Sequence, residues 1–117
     1  MIIIAGTLDF APEERDSAVE AARELSARTR ELPGCLDYVW TPDPAVPGRM
    51  YVFERWEDEA SLSAHFGGPL YREMRKTLGV FRRLSTDISK YRIDVQEPVY
   101  DRDGRPRADF FTTGDDT

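Results

Sequence analysis

Apolar residues recur along this chain with two periods, two and about 3.6, and the switches between them outline its elements. Residues 2–9 (IIIAGTLD) are apolar on both alternating faces, Ile2, Ile4 and Leu8 on one and Ile3 and Ala5 on the other, which predicts a strand covered on both sides. Pro12, Glu13 and Glu14 suit a first helical turn, so a helix is expected from Pro12, with Ala18, Ala22, Leu25, Thr29 and Leu32 along its inner face. Pro33 and Gly34 stop it. Leu36, Tyr38 and Trp40 alternate with Asp37 and Thr41 and predict a second strand. After the loop PDPAVPG, residues 49–56 form a third, with Met50, Val52 and Trp56 against Tyr51 and Phe53, again apolar on both faces. Asp58 is a good N-cap for a short helix that carries Leu62, His65 and Phe66 on one side and ends at Gly67 and Gly68. Pro69 opens a further helix with Leu70, Met74, Leu78 and Phe81 at helical spacing, and a last strand is expected over residues 85–95.

The order strand, helix, strand, strand, helix, strand predicts an α+β domain, a ferredoxin-like split βαβ with an antiparallel sheet and its helices on one face. Strands apolar on both faces then leave one face uncovered, and packing two copies as a twofold homodimer through the sheet face covers it. Residues 1–97 form this domain and 98–117 a C-terminal extension. There Asp103 and Gly104 before Pro106 favour a turn; the extension reads as a flexible tail or, given Phe110 and Phe111, as an arm that docks on a surface and latches the neighbouring subunit.

Composition narrows the classes. With 117 residues, 40% of them hydrophobic, the chain fits one domain, and no apolar run approaches the ~20 residues of a membrane span. The opening Met1–Ala5 run is too short for a signal-peptide core. Cys35 is the single cysteine, which excludes an intrachain disulfide and fits a reducing cytoplasm; it reads as a small buried residue. A formal charge of −6, with arginines interleaved among acids, opposes nucleic acid as a partner. The acidic runs Glu57–Glu59 and Asp115–Asp116 read as solvated. Glycine-rich phosphate loops, HExxH pairs and nucleophile elbows are absent, so nucleotide, metal and cofactor chemistry have no support.

The segments PGCLDY (33–38), ERW (54–56) and EDEASLSAHF (57–66) resemble the antibiotic biosynthesis monooxygenase family of dimeric α/β barrels, over residues 2–95. The superfamily includes cofactor-free quinol and anthrone oxygenases, haem-degrading enzymes, polyketide cyclases and members without known activity. Haem degraders use an asparagine and an iron-ligating histidine after the short helix. This chain contains no asparagine, and Leu70–Lys76 holds no histidine, which disfavours that chemistry. Many quinol oxygenases carry a second histidine where this chain has Leu70 and Tyr71.

The resemblance implies oxidation of an electron-rich phenol without flavin or metal, in a dry pocket with a proton acceptor and donors for the resulting anion. His65, the only histidine, is the candidate base and Tyr71 a candidate hydrogen-bond donor; Tyr38, Trp56, Phe66 and Phe81 are the candidate substrate-binding residues. In a purely structural reading His65 caps the apolar face of its helix and bonds a backbone carbonyl, while the aromatics are core. Glu54 and Arg55 fall on opposite strand faces and cannot form one local ion pair. The leading expectation is thus a cofactor-independent monooxygenase for a polyphenolic or quinol-type metabolite. Its alternatives are a polyketide cyclase or isomerase and a non-catalytic dimer that binds a small aromatic or assists another enzyme. A closed cavity touching His65 and Tyr71 would favour chemistry, and a filled core would favour scaffolding.

Overall fold

The structure, a computed structural model, describes residues 1–112. Its elements are β1 (Ile2–Phe10), α1 (Arg15–Thr29), β2 (Cys35–Pro42), β3 (Arg49–Trp56), α2 (Glu59–Phe66), α3 (Pro69–Leu78) and β4 (Arg83–Arg92). The four strands form one antiparallel sheet in the order β2-β3-β1-β4, which is the α+β ferredoxin-like arrangement that the sequence pattern predicts.

Register decides which side chains meet the helices. Ile2 pairs with Trp56, Ile4 with Glu54 and Leu8 with Met50, so these residues share one face. There Leu8, Phe10, Met50, Val52 and Trp56 are almost fully buried against Ala18 and Ala22 of α1 and Met74 of α3. Each large side chain so buried contributes on the order of 2 kcal/mol. The other face has no helix. Tyr51 and Phe53 are 45% and 40% exposed and Ile3 and Ala5 are half-buried, so β1 and β3 are not covered on both sides within one chain.

Three local expectations shift. The helix begins at Arg15, not Pro12, because Glu14 N–H closes a turn onto Ala11 O at 2.8 Å and the Glu14 carboxylate accepts from Arg82 N–H. Arg15 Nη1 then donates to the carbonyls of Asp43, Val46 and Arg49, tying down the proline-rich loop. A bulge between Cys35 and Asp37 leaves Leu36 45% exposed, so it does not join Tyr38 on the buried face. Finally, β4 ends at Arg92 because its partner β1 runs out: Ile93 N–H bonds Met1 O, and beyond that no strand remains to pair with.

Two glycines fix close approaches. Gly6 of β1 faces Ile88 of β4, where a Cβ would lie 2.1 Å from the Asp87 carbonyl oxygen. Gly34, with φ of +81°, turns the chain from α1 into β2 directly against α2; a Cβ there would sit 2.1 Å from Ser61 Oγ.

After Ile93 the chain forms an arm. Its Asp101–Arg105 turn is closed by Asp101 N–H to Arg105 O at 2.9 Å, and Tyr100 bridges Pro106. The Glu97 carboxylate accepts from the backbone N–H groups of Phe111 and Thr112. The radius of gyration, 16.9 Å, exceeds the ~13 Å of a compact chain this long. Phe110 is 64% exposed, so it does not dock on its own domain, while Phe111 is half-buried under the Arg107 guanidinium. Glu57, Asp58 and Glu59 are exposed, as read; Asp115 and Asp116 lie outside the described residues.

Candidate functional site

The site grows from the β3–α2 connection. Asp58 caps α2 by accepting from Ser61 N–H at 2.8 Å, and Gly67 ends the helix two residues after His65. Eight residues and two such stops fix the helix so that Leu62 and His65 face inward, over the end of β3. His65 is 4% exposed.

Its imidazole lies in an aromatic shell. Trp56 stacks on it with centroids 4.8 Å apart and planes 20° apart, while Tyr38 and Tyr71 meet it edge-on at 6.0 and 5.5 Å. Phe66 lies 5.9 Å from the imidazole and 5.0 Å from Tyr71. The structure thus brings together five of the six sequence-predicted side chains. Phe81 stands apart: its ring packs on Phe10, eight residues along β1 from the Ile2–Trp56 pair, or about 26 Å away. It is therefore no wall of this cluster.

The electrostatics are those of a dry site. His65 Nδ1 is buried without a hydrogen-bond partner, so the carbonyl contact of the structural reading is not made at this nitrogen. Burial lowers the imidazole's proton affinity, which keeps it neutral and available as an acceptor. Burial raises the Tyr38 hydroxyl far above the ordinary phenol range and the Cys35 thiol to about 11, so Cys35 is no nucleophile near neutrality.

The residue that sequence reasoning missed is Glu54. It is 5% exposed on the helix side of β3, and its Oε1 accepts from Trp56 Nε1–H at 2.9 Å. Burial raises its carboxyl to about 7. The Trp40 indole N–H adjoins both this carboxyl and the Tyr38 hydroxyl but meets neither in hydrogen-bond geometry. The signal was available in the strand period, which sets residue 54 on the face of Val52 and Trp56.

Space beside the cluster is open rather than closed. A groove of about 540 Å³ runs between the end of α1 and helices α2 and α3, with Leu32, Pro33, Ser61, His65 and Leu70 among its walls. Tyr71 does not line it. A second groove, about 420 Å³, lies on the far side of α2, where Leu62 and Phe66 face Lys90, Tyr91 and Arg92 of β4. Among the described residues no group of three or more histidine, cysteine or acidic side chains is placed to hold a metal ion, and no helix is long and apolar enough to cross a membrane.

Residues 1–77 match the profile of the antibiotic biosynthesis monooxygenase family. The chain belongs to that family. A Deinococcus radiodurans protein named for the same family superposes with a TM-score of 0.77 at 22% identity, covering 86% of this chain and all of its own. A conserved protein from Methanosarcina mazei reaches 0.70 at 25% identity, covering 78% of this chain and 90% of that one. Among curated proteins an uncharacterised Synechocystis protein is 26% identical over 72 residues, 62% of this chain. The match spans about half, 49%, of that relative's length. The matched span of this monooxygenase-family chain contains β3, α2 and most of α3, and with them Glu54, Trp56, His65 and Tyr71.

Proposed function

We propose that this family member is a cofactor-free oxygenase that oxidises an electron-rich polyphenol or quinol-type aromatic with molecular oxygen. The observation that carries the reading is His65: a buried, neutral imidazole with an unpartnered Nδ1, surrounded by aromatic rings and bordering an open groove. In the groove the substrate's acidic proton passes to His65. The resulting anion, held where water is scarce, gives one electron to O₂, and the two radicals join to form a carbon–oxygen bond. Loss of water from that peroxide leaves a carbonyl, so one substrate and one O₂ yield one quinone-type product and one water. Tyr71 lies outside the groove lining but 5.5 Å from the imidazole between ring centroids, and is the candidate donor to the anion. Trp56, Phe66 and Tyr38 supply the apolar surround.

Support for a binding role without chemistry comes from the groove, which is open and does not reach Tyr71. Oxygen uptake separates the readings. The oxygenase consumes O₂ with dihydroxynaphthalenes or anthrones and yields quinones, and absence of uptake across such a panel would overturn it. Conversion of a polyketide under anaerobic conditions would point to cyclisation or isomerisation instead.

The functional unit in this proposal is a twofold homodimer. Tyr51, Phe53, Ile3, Ala5 and Val39 form an apolar band on the sheet face that carries no helix, and a second copy packed on it would bury the band on both subunits. In this proposal the arm after Ile93 latches the neighbouring subunit.

A further inference from the structure

Glu54 has no task in the reaction proposed above, yet it is the acid embedded in the helix-side core beside the only histidine. A carboxylate in that position costs stability unless it is paired, hydrogen-bonded or neutralised, and here it has one hydrogen bond and, among the described residues, no cation beside it. Its hydrogen bond to Trp56 fixes the indole, and that indole lies nearly parallel to the His65 imidazole. The three side chains form a chain in space: carboxyl, indole, imidazole.

We infer that Glu54 is a positioning residue for His65: it holds the Trp56 indole against the imidazole and, when ionised, stabilises the imidazolium that forms as substrate gives up its proton. This rests on the reading of His65 as proton acceptor. Two physical effects act in the same direction. An imidazolium above an indole face is attracted by the ring quadrupole, and an indole whose N–H donates to an anion is the more electron-rich for it. The carboxylate charge also lies one indole away, in surroundings that screen it poorly. Since Nδ1 has no acceptor of its own, the site offers a proton on His65 little other compensation.

Among the described residues no other acid competes at close range. On β2, Cys35 and Tyr38 face Glu54, and burial keeps both protonated. On α3, Tyr71 meets the imidazole edge-on, with Arg75 5.9 Å from the Tyr71 ring on its outer side. From α1, Arg28 stands on the rim of the groove, and Arg30 Nε donates to Tyr38 O. Both are cations and oppose protonation of His65, which leaves Glu54 as the group that favours it.

The test uses the full chain and the single imidazole resonance that one histidine guarantees. In Glu54→Gln the amide oxygen still accepts from Trp56 Nε1–H, so packing is kept while the charge is lost. In an NMR pH titration of the wild type the His65 ring resonances should show a second inflection near pH 7, where Glu54 ionises, which Glu54→Gln abolishes and Glu57→Gln, an exposed acid on the same connection, leaves in place. A His65 titration that is the same in Glu54→Gln and wild type would overturn the inference. Should Glu54→Gln fail to fold, the wild type decides: the Glu54 side-chain carboxyl carbon and the His65 ring must show coupled titrations, and two independent single-site curves would equally defeat it. Neither readout requires turnover. Failure of oxygen uptake alone therefore counts against the oxygenase reading and not against this coupling.

Discussion

The His65 imidazole lies flat against the Trp56 indole, 4.8 Å between centroids, with its Nδ1 buried and unpartnered. A polar atom so placed lowers stability, and the proposed proton transfer gives it a task. His65→Phe keeps a ring in the stack and removes the orphan nitrogen. The variant should gain about 1 kcal/mol in chemical denaturation and lose oxygen uptake by roughly 100-fold or more. A destabilised variant with intact turnover would refute this account of the ring.

Glu54 gives the opposite sign to most carboxylates in the pH dependence of stability. Its folded value of about 7 stands above the ordinary glutamate value of 4.5, so between these limits the folded chain keeps a proton that the unfolded chain has released. Stability from this group is complete below pH 4.5 and is lost as pH rises through 7, by on the order of 3 kcal/mol. His65 acts in the other direction: burial lowers its proton affinity, so its contribution is lost as pH falls below 6.5. Glu54→Gln removes the first effect. Urea denaturation should find it more stable than wild type by about 3 kcal/mol at about pH 8 and equal to it at about pH 4. A difference that does not change with pH would contradict the buried placement of the carboxyl.

Gly6 admits β4 to the sheet. An alanine there would set its Cβ 2.1 Å from the Asp87 carbonyl oxygen and 2.6 Å from Ile88 Cα, both backbone atoms with no freedom to rotate away. Gly6→Ala is therefore expected to cost at least about 3 kcal/mol and to expose the β4 amides to hydrogen exchange. Unchanged exchange at Ile88 would show that the two strands tolerate separation.

Phe53, 40% exposed at the centre of the helix-free face, tests the proposed dimer. Phe53→Glu would place like charges across a twofold interface, and sedimentation at micromolar concentration should show a folded monomer where the wild type is dimeric. A wild type that is itself monomeric would remove the proposed interface.

Element types were readable because each strand or helix announces its period and is stopped by proline or glycine: Pro33 and Gly34 after α1, Gly67 and Gly68 after α2. Departures arise where tertiary contacts override local pattern. The Glu14–Arg82 hydrogen bond delays α1, the bulge at Cys35 turns Leu36 outward, and β4 stops where β1 has no residue left to offer. In the cluster around His65, strand alternation set Tyr38 and Trp56 on apolar faces and helical spacing set Phe66 beside His65, whereas Tyr71 came from the family resemblance alone. Phe81 misled because Gly79 ends α3 before the helical period reaches it, and the chain then turns it toward Phe10. Glu54 escaped because an acid in an apolar strand reads as solvent-facing unless its face is counted from Val52 and Trp56.

Gly34 ties the entrance of the larger groove to the placement of His65. The buried rings around His65 belong to the folding core, and altering them risks the whole domain. The mouth of the larger groove is bounded instead by Pro33 and Ser61, held together by a turn in which residue 34 has no side chain. Any larger residue at that position must push α2 away from the turn. Because that helix carries His65, widening the opening for bulkier guests at this position also moves the imidazole relative to the Trp56 indole.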